Sequence, residues 1–124
     1  MKRFRVIYGY PYFLKFLSLY TFAGYIINDG ISFFDEYLFT DTGSYLGEQK
    51  ISYHDIKSFA KIGKFTIEIT LNKEFFKKVK KQKIYRTYFN KIIEESQAFY
   101  INAWNVAPLI AELESHNIKK LRDS

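Results

Sequence analysis

The chain has no cysteine, which excludes disulfides and thiolate metal sites together. Only two histidines occur, His54 and His116, and neither has a partner at metal-ligand spacing. His54-Asp55 looks like a dyad on paper, but neighbours in a strand point to opposite faces. GKFT (63–66) lacks the upstream glycine and the Lys-Ser/Thr pair of a phosphate loop. There is no dinucleotide fingerprint and no Gly-x-Ser-x-Gly elbow. Adjacent carboxylates, as in Glu94-Glu95 and Asp35-Glu36, more often mark solvated turns than acid/base pairs. No catalytic residue, metal ligand or cofactor is therefore expected. Long apolar runs are missing too. Residues 16–27 are largely apolar, but this is about a dozen positions where a bilayer span needs roughly 20. They suit a core element, or a segment lying in a membrane interface. The sequence starts basic and turns apolar over 1–27, yet Lys15 interrupts the apolar run and no small-residue cleavage site follows it cleanly, so a secretory signal is not expected.

What is abundant is aromatic and basic. Eleven Tyr and thirteen Phe stand against one Trp, and hydrophobic residues make up 48% of the 124. That is enough for one compact core, and Tyr and Phe favour strands. The formal net charge is +6, which implies an anionic partner: nucleic acid, an acidic membrane or an acidic protein. The charge is segregated. Residues 29–55 hold Asp29, Asp35, Glu36, Asp41, Glu48 and Asp55 against Lys50 alone. Residues 73–91 hold eight bases against Glu74 alone.

The pattern along the chain is many short strands, then one helix. YFLKFLSLY (12–20) suits a short helix and TFAGYII (21–27) a strand. NDG (28–30) and DTG (41–43) are turn sequences. ISFFDEYLFT (31–40) reads as a strand bent or broken near Asp35. QKISYHDIKSF (49–59) reads as a strand with Ile51, Tyr53 and Asp55 on one face and Ser52, His54 and Ile56 on the other. KIG (61–63) turns the chain. KFTIEITLN (64–72) alternates cleanly, with Phe65, Ile67, Ile69 and Leu71 pointing inward. KIYRTYF (83–89) and QAFYIN (97–102) are further strands. Finally Val106, Leu109, Ile110 and Leu113 fall at helical spacing. Asn105 is placed to cap that helix, and Pro108 is tolerated in its first turn.

Two pieces, KISYHDIKSFAKIGKFTIEITLN (50–72) and AFYINAWNVAPLIAELESH (98–116), resemble bacterial and GRAM-type members of the pleckstrin-homology-like superfold. The resemblance covers about residues 21–116. It implies a mainly β fold: a bent antiparallel sheet or barrel capped by one C-terminal α-helix, with Trp104 packed at the seam. Residues 1–20 form a short extra segment packed on or near a domain of residues 21–124.

The basic segment KEFFKKVKKQK (73–83) occupies a strand-to-strand connection. It reads either as a solvated loop or as an electrostatic dock. A dense lysine run suits diffuse attraction to an anionic surface more than shape-specific recognition. The docking residues would be Lys77, Lys78, Lys80, Lys81, Lys83 and Arg86. Phe75, Phe76 and Val79 lie among them, either anchoring the loop or inserting shallowly into the interface. Nucleic acid is the weaker partner, because the segment lacks arginine, glycine and any nucleic-acid module. Asp35, Glu36 and Asp41 offer a counter-surface for a basic peptide.

In size, charge, aromatic content and lack of cysteine, the chain also resembles the self-immunity proteins that accompany leaderless, cationic, membrane-active bacteriocins. That resemblance is one of type, without a shared motif. It implies a peripheral protein at the inner face of the cell membrane, with anionic lipid or the cationic peptide as partner. A general lipid- or protein-binding adaptor is the alternative.

Overall fold

A computed structural model describes residues 1–8, 30–40, 48–79 and 97–121. These form eight strands, two α-helices and one 3-10 turn. The expected elements at 12–20, 21–27, 41–43 and 83–89 lie outside the described residues.

The strands make two antiparallel sheets. The first has the order β1 (Lys2–Arg5), β3 (Gly30–Phe33), β4 (Tyr37–Thr40), β5 (Gln49–Ser52). The second runs β2 (Ile7–Tyr8), β8 (Ala98–Asn102), β7 (Thr66–Leu71), β6 (Ile56–Ile62). Among the described residues, the chain passes between the sheets at two corners. At one, Val6 sits 1% exposed between β1 and β2. At the other, the 3-10 turn Tyr53–Asp55 joins β5 to β6. Corners where strands change sheets are typical of crossed sheet pairs. Among the described residues no closed barrel forms: where a bent sheet or barrel was expected, they make two open antiparallel sheets with a C-terminal helix. Residues 2–8 belong to both sheets, and the Tyr8 hydroxyl donates to the Gly30 carbonyl at 2.7 Å, tying one sheet to the other.

Alternation places the core. Ile31 and Phe33, Leu38, Ile51, Ile67, Ile69 and Leu71, and Phe99 and Ile101 all face the space between the sheets and are essentially fully buried. The alternation expected over 64–72 holds at Ile67, Ile69 and Leu71, in a β7 paired to both β6 and β8; Lys64 and Phe65 belong to the turn before it, Phe65 half-buried, and Thr66, expected to point outward, is buried too. Buried polar side chains in both sheets find partners. The Thr66 hydroxyl donates to Asn102 Oδ1 at 2.6 Å, and the Gln49 N–H donates to Thr40 Oγ1 at 3.0 Å. The break expected near Asp35 is a hairpin between β3 and β4, closed by the Phe34 N–H to the Tyr37 carbonyl at 2.8 Å.

The stretch 49–59 is not one strand. Ser52 accepts from the His54 N–H, and the backbone winds into a 3-10 turn before β6 begins. A serine that can satisfy the N–H two residues on competes with the sheet ladder. The expected alternation of Tyr53, His54 and Asp55 therefore does not exist. The turn expected at 61–63 falls at 63–65, with Gly63 at φ 75°.

The first helix, α1 (Lys73–Val79), replaces the expected loop. Lysine and glutamate lose little rotamer freedom in a helix, and Glu74 lies favourably in the first turn. The second helix, α2 (Ala107–Ser115), buries Leu109 and Leu113. Val106 is buried and Ile110 half-buried, as the helical spacing requires. Val106 holds the cap position; Asn105, one residue earlier, accepts from the Ala107 N–H at 3.2 Å.

The helix ends in a Schellman motif. Asn117 takes φ 62°, its N–H reaches the Glu114 carbonyl, and the Ile118 N–H reaches Leu113. Buried Ile118 then turns the tail along the edge of β6, where Phe59 exchanges hydrogen bonds with Lys119 and Leu121. Replacing Asn117 with valine is expected to cost about 1–2 kcal/mol, because a branched residue resists the left-handed region. Asn117→Gly should be neutral or stabilising. Chemical denaturation of the two variants checks both values.

Candidate functional site

The strongest positive feature begins where β7 ends. Asn72 is pinned to the 3-10 turn: its N–H donates to the Asp55 carbonyl at 2.8 Å and its side-chain amide to the His54 carbonyl at 2.9 Å. The Phe75 N–H then bonds back to Asn72. This fixes the start and direction of α1. A seven-residue helix is not stable alone, so its packing matters. Phe75 is only 3% exposed and belongs to the core. Of the two alternatives for Phe75, anchoring the segment or inserting shallowly into an interface, its burial fits the first: an aromatic ring already in the core has no surface left to insert. Lys73, Glu74 and Lys77 are exposed on the helix. Lys77 pairs with Glu74 at 3.7 Å, a surface pair worth about 0–1 kcal/mol. The side chains of Phe76 and Lys78, and all of Lys80, Lys81, Lys83 and Arg86, lie outside the described residues.

On the other side of the 3-10 turn is the β3–β4 hairpin. The Tyr53 N–H donates to the Glu36 carbonyl at 3.3 Å, and the Tyr53 hydroxyl to the Phe34 carbonyl at 2.6 Å. Asp35 and Glu36 are exposed at the hairpin tip. With Met1, Phe34 and Tyr37 they line a shallow, open cleft of about 420 Å³. Phe34 and Tyr37 stack at 4.8 Å, and Lys50 Nζ lies 4.3 Å from the Tyr37 ring centre. Asp41, the third proposed acid, lies outside the described residues. The acidic cleft and the start of the basic helix thus flank one turn. Neither the 3-10 turn nor its two neighbours was legible as a unit in the sequence.

A third cluster joins α2 to the first sheet. His116 Nε2 lies 3.0 Å from Glu112 Oε1, and Lys2 Nζ is 3.4 Å from Glu112 Oε2. The imidazole lies parallel to the Tyr53 ring at 4.2 Å and to Phe33 at 6.0 Å. The ring and the carboxylate are mostly buried, which suits a latch between elements more than a base awaiting substrate. The Glu112/His116 spacing was visible as an i,i+4 pair; the contacts of Tyr53 and Lys2 required the fold. Burial pushes the Tyr53 phenol up to about 12 from its usual 10, and the Glu112 carboxylate adds to it.

The folded form therefore keeps a proton that the unfolded chain loses near pH 10. The resulting stability is fully present below pH 10 and is lost as pH rises towards 12. In an ultraviolet titration, Tyr53 is expected to ionise near pH 12, and Tyr53→Phe should remove a late-ionising phenol from the curve.

No group of three or more His, Asp or Glu side chains converges on a metal-sized site among the described residues. No described helix is long and apolar enough to cross a membrane. Trp104, expected at the seam of the core, is 56% exposed; it meets Phe65 edge-on at 5.5 Å. The chain has already left β8 at Asn102 and not yet entered α2, so neither element shields it. Comparison with protein families, curated proteins and solved structures gave no match to this chain.

Proposed function

We propose that this chain is a non-catalytic binding domain that docks on an anionic membrane surface through the lysines of α1 and the segment after it. The observation that carries the reading is the anchoring of α1. Phe75 faces the core while Lys73 and Lys77 face solvent, and four more lysines follow within six residues of Lys77. A fixed helix lowers the entropy lost on docking relative to a free loop.

The pleckstrin-homology-like resemblance supports the same reading, since that superfold hosts many binding modules; function still has to be argued from the site. Within it, the particular role we favour is self-immunity against a cationic, membrane-active leaderless bacteriocin. On this reading the domain covers lipid headgroups that the peptide needs, and the Asp35/Glu36 cleft takes part of the peptide itself. Expression in a sensitive host should raise the concentration of such a peptide needed to stop growth. Vesicle binding without protection would instead assign the domain to a lipid- or protein-binding adaptor, which the aromatic, acidic cleft also fits.

A further inference from the structure

Among the described residues, three large apolar side chains are left exposed: Met1, Leu121 and Trp104. Trp104 is unlike the other two, because it sits in the middle of an ordered corner. The β6–β7 hairpin reaches its tip at Gly63, and Lys64 next to it is exposed. Phe65 follows, half-buried, with Lys64 Nζ 5.3 Å from its ring centre and Trp104 against it at 5.5 Å. The Ala103 N–H donates to the Phe65 carbonyl at 2.9 Å, so the tryptophan is held beside the hairpin by backbone. Neither residues 59–67 nor residues 101–111 contain a carboxylate. The first acid inward along β7, Glu68, accepts from the Tyr100 hydroxyl at 2.9 Å.

A hairpin turn with an exposed indole, a second aromatic and lysine, and no carboxylate in its own two segments has the chemistry of a membrane-interface anchor. Indole prefers the headgroup level, where its ring is half desolvated and its N–H stays wet. Lysine beside it supplies the attraction to anionic lipid.

We infer that Lys64, Phe65 and Trp104 form a second contact with the anionic bilayer. The inference rests on the docking reading above. This corner lies at the start of β7 and α1 follows its end, with six residues, or about 20 Å, between them. A domain that uses both contacts lies with β7 along the membrane plane.

Trp104 is the chain's single tryptophan, so its emission reports this corner alone. The full chain is mixed with vesicles of phosphatidylcholine alone and of phosphatidylcholine with phosphatidylglycerol. Pelleting and tryptophan emission are read on the same samples, with and without lipids brominated near the headgroup. The expected result is pelleting with the anionic vesicles, emission shifted to shorter wavelength, and quenching by the brominated lipid. Trp104→Ser should then weaken the partition roughly tenfold, the effect of returning a partly buried apolar side chain to water. Pelleting with unshifted, unquenched emission overturns the second contact and leaves the α1 dock standing. No pelleting with anionic vesicles overturns both.

Discussion

A variant with Lys77, Lys78, Lys80 and Lys81 all changed to glutamate is expected to lose affinity for anionic vesicles by about a thousandfold or more. Each lysine near an acidic bilayer contributes roughly 1 kcal/mol. Removing four gives about 4 kcal/mol, and tenfold in affinity corresponds to about 1.4 kcal/mol. Glutamate adds repulsion to that loss. Lys77 is exposed and makes a surface pair with Glu74, so its replacement should change stability by no more than about 0.5 kcal/mol. Unfolding curves of the variant and the parent should nearly coincide while their vesicle binding diverges. Unchanged binding would leave the lysine run as a solubility feature.

Replacing Phe75 by alanine is expected to do the reverse. The ring is buried in the core beneath α1, and removing a buried Phe costs about 3–5 kcal/mol. For a domain of this size that lowers the melting temperature by roughly 10–20 °C. The loss comes from the cavity as well as from the transfer of the ring, because close-packed neighbours relax only partly. Where enough folded protein remains, it should bind anionic vesicles more weakly, since α1 has lost its anchor but not its charge. Unaltered stability together with lost binding would contradict the buried position and return Phe75 to the interface. The two variants therefore separate the helix's two faces: charge reversal affects binding without stability, and ring removal affects stability first.

The contrast between those faces also shows what the sequence could carry. Period-two alternation in 67–71 and helical spacing in 106–113 were legible because each element packs one face against the core. A break near Asp35 was legible because two acids interrupt an apolar run; that the chain reverses there into a hairpin was not. The failures share a different cause. Ser52 captures the backbone at His54 and ends β5, a local competition that alternation cannot register. KEFFKKV contains two phenylalanines among its charges, and only the tertiary position of Asn72 decides that Phe75 points inward.

The same holds for Trp104. A lone tryptophan before an apolar helix suggests core, but its burial depends on where β8 releases the chain. The proximity of the acidic cleft to α1 is likewise a product of topology: β4, the 3-10 turn and β7 meet there from distant parts of the sequence. Charge segregation along the chain marked two segments, and the fold sets Asp35 and Glu36 on one side of the turn and the start of α1 on the other.

The most direct measurement is co-sedimentation of the wild-type chain with phosphatidylcholine vesicles and with vesicles containing phosphatidylglycerol, at low and at high salt. The account predicts pelleting with the anionic vesicles alone, and its loss as salt shortens the Debye length from about 30 Å at 0.01 M to about 3 Å at 1 M. Equal pelleting with both lipids, or pelleting that salt leaves unchanged, would contradict an electrostatic dock; so would no pelleting at all.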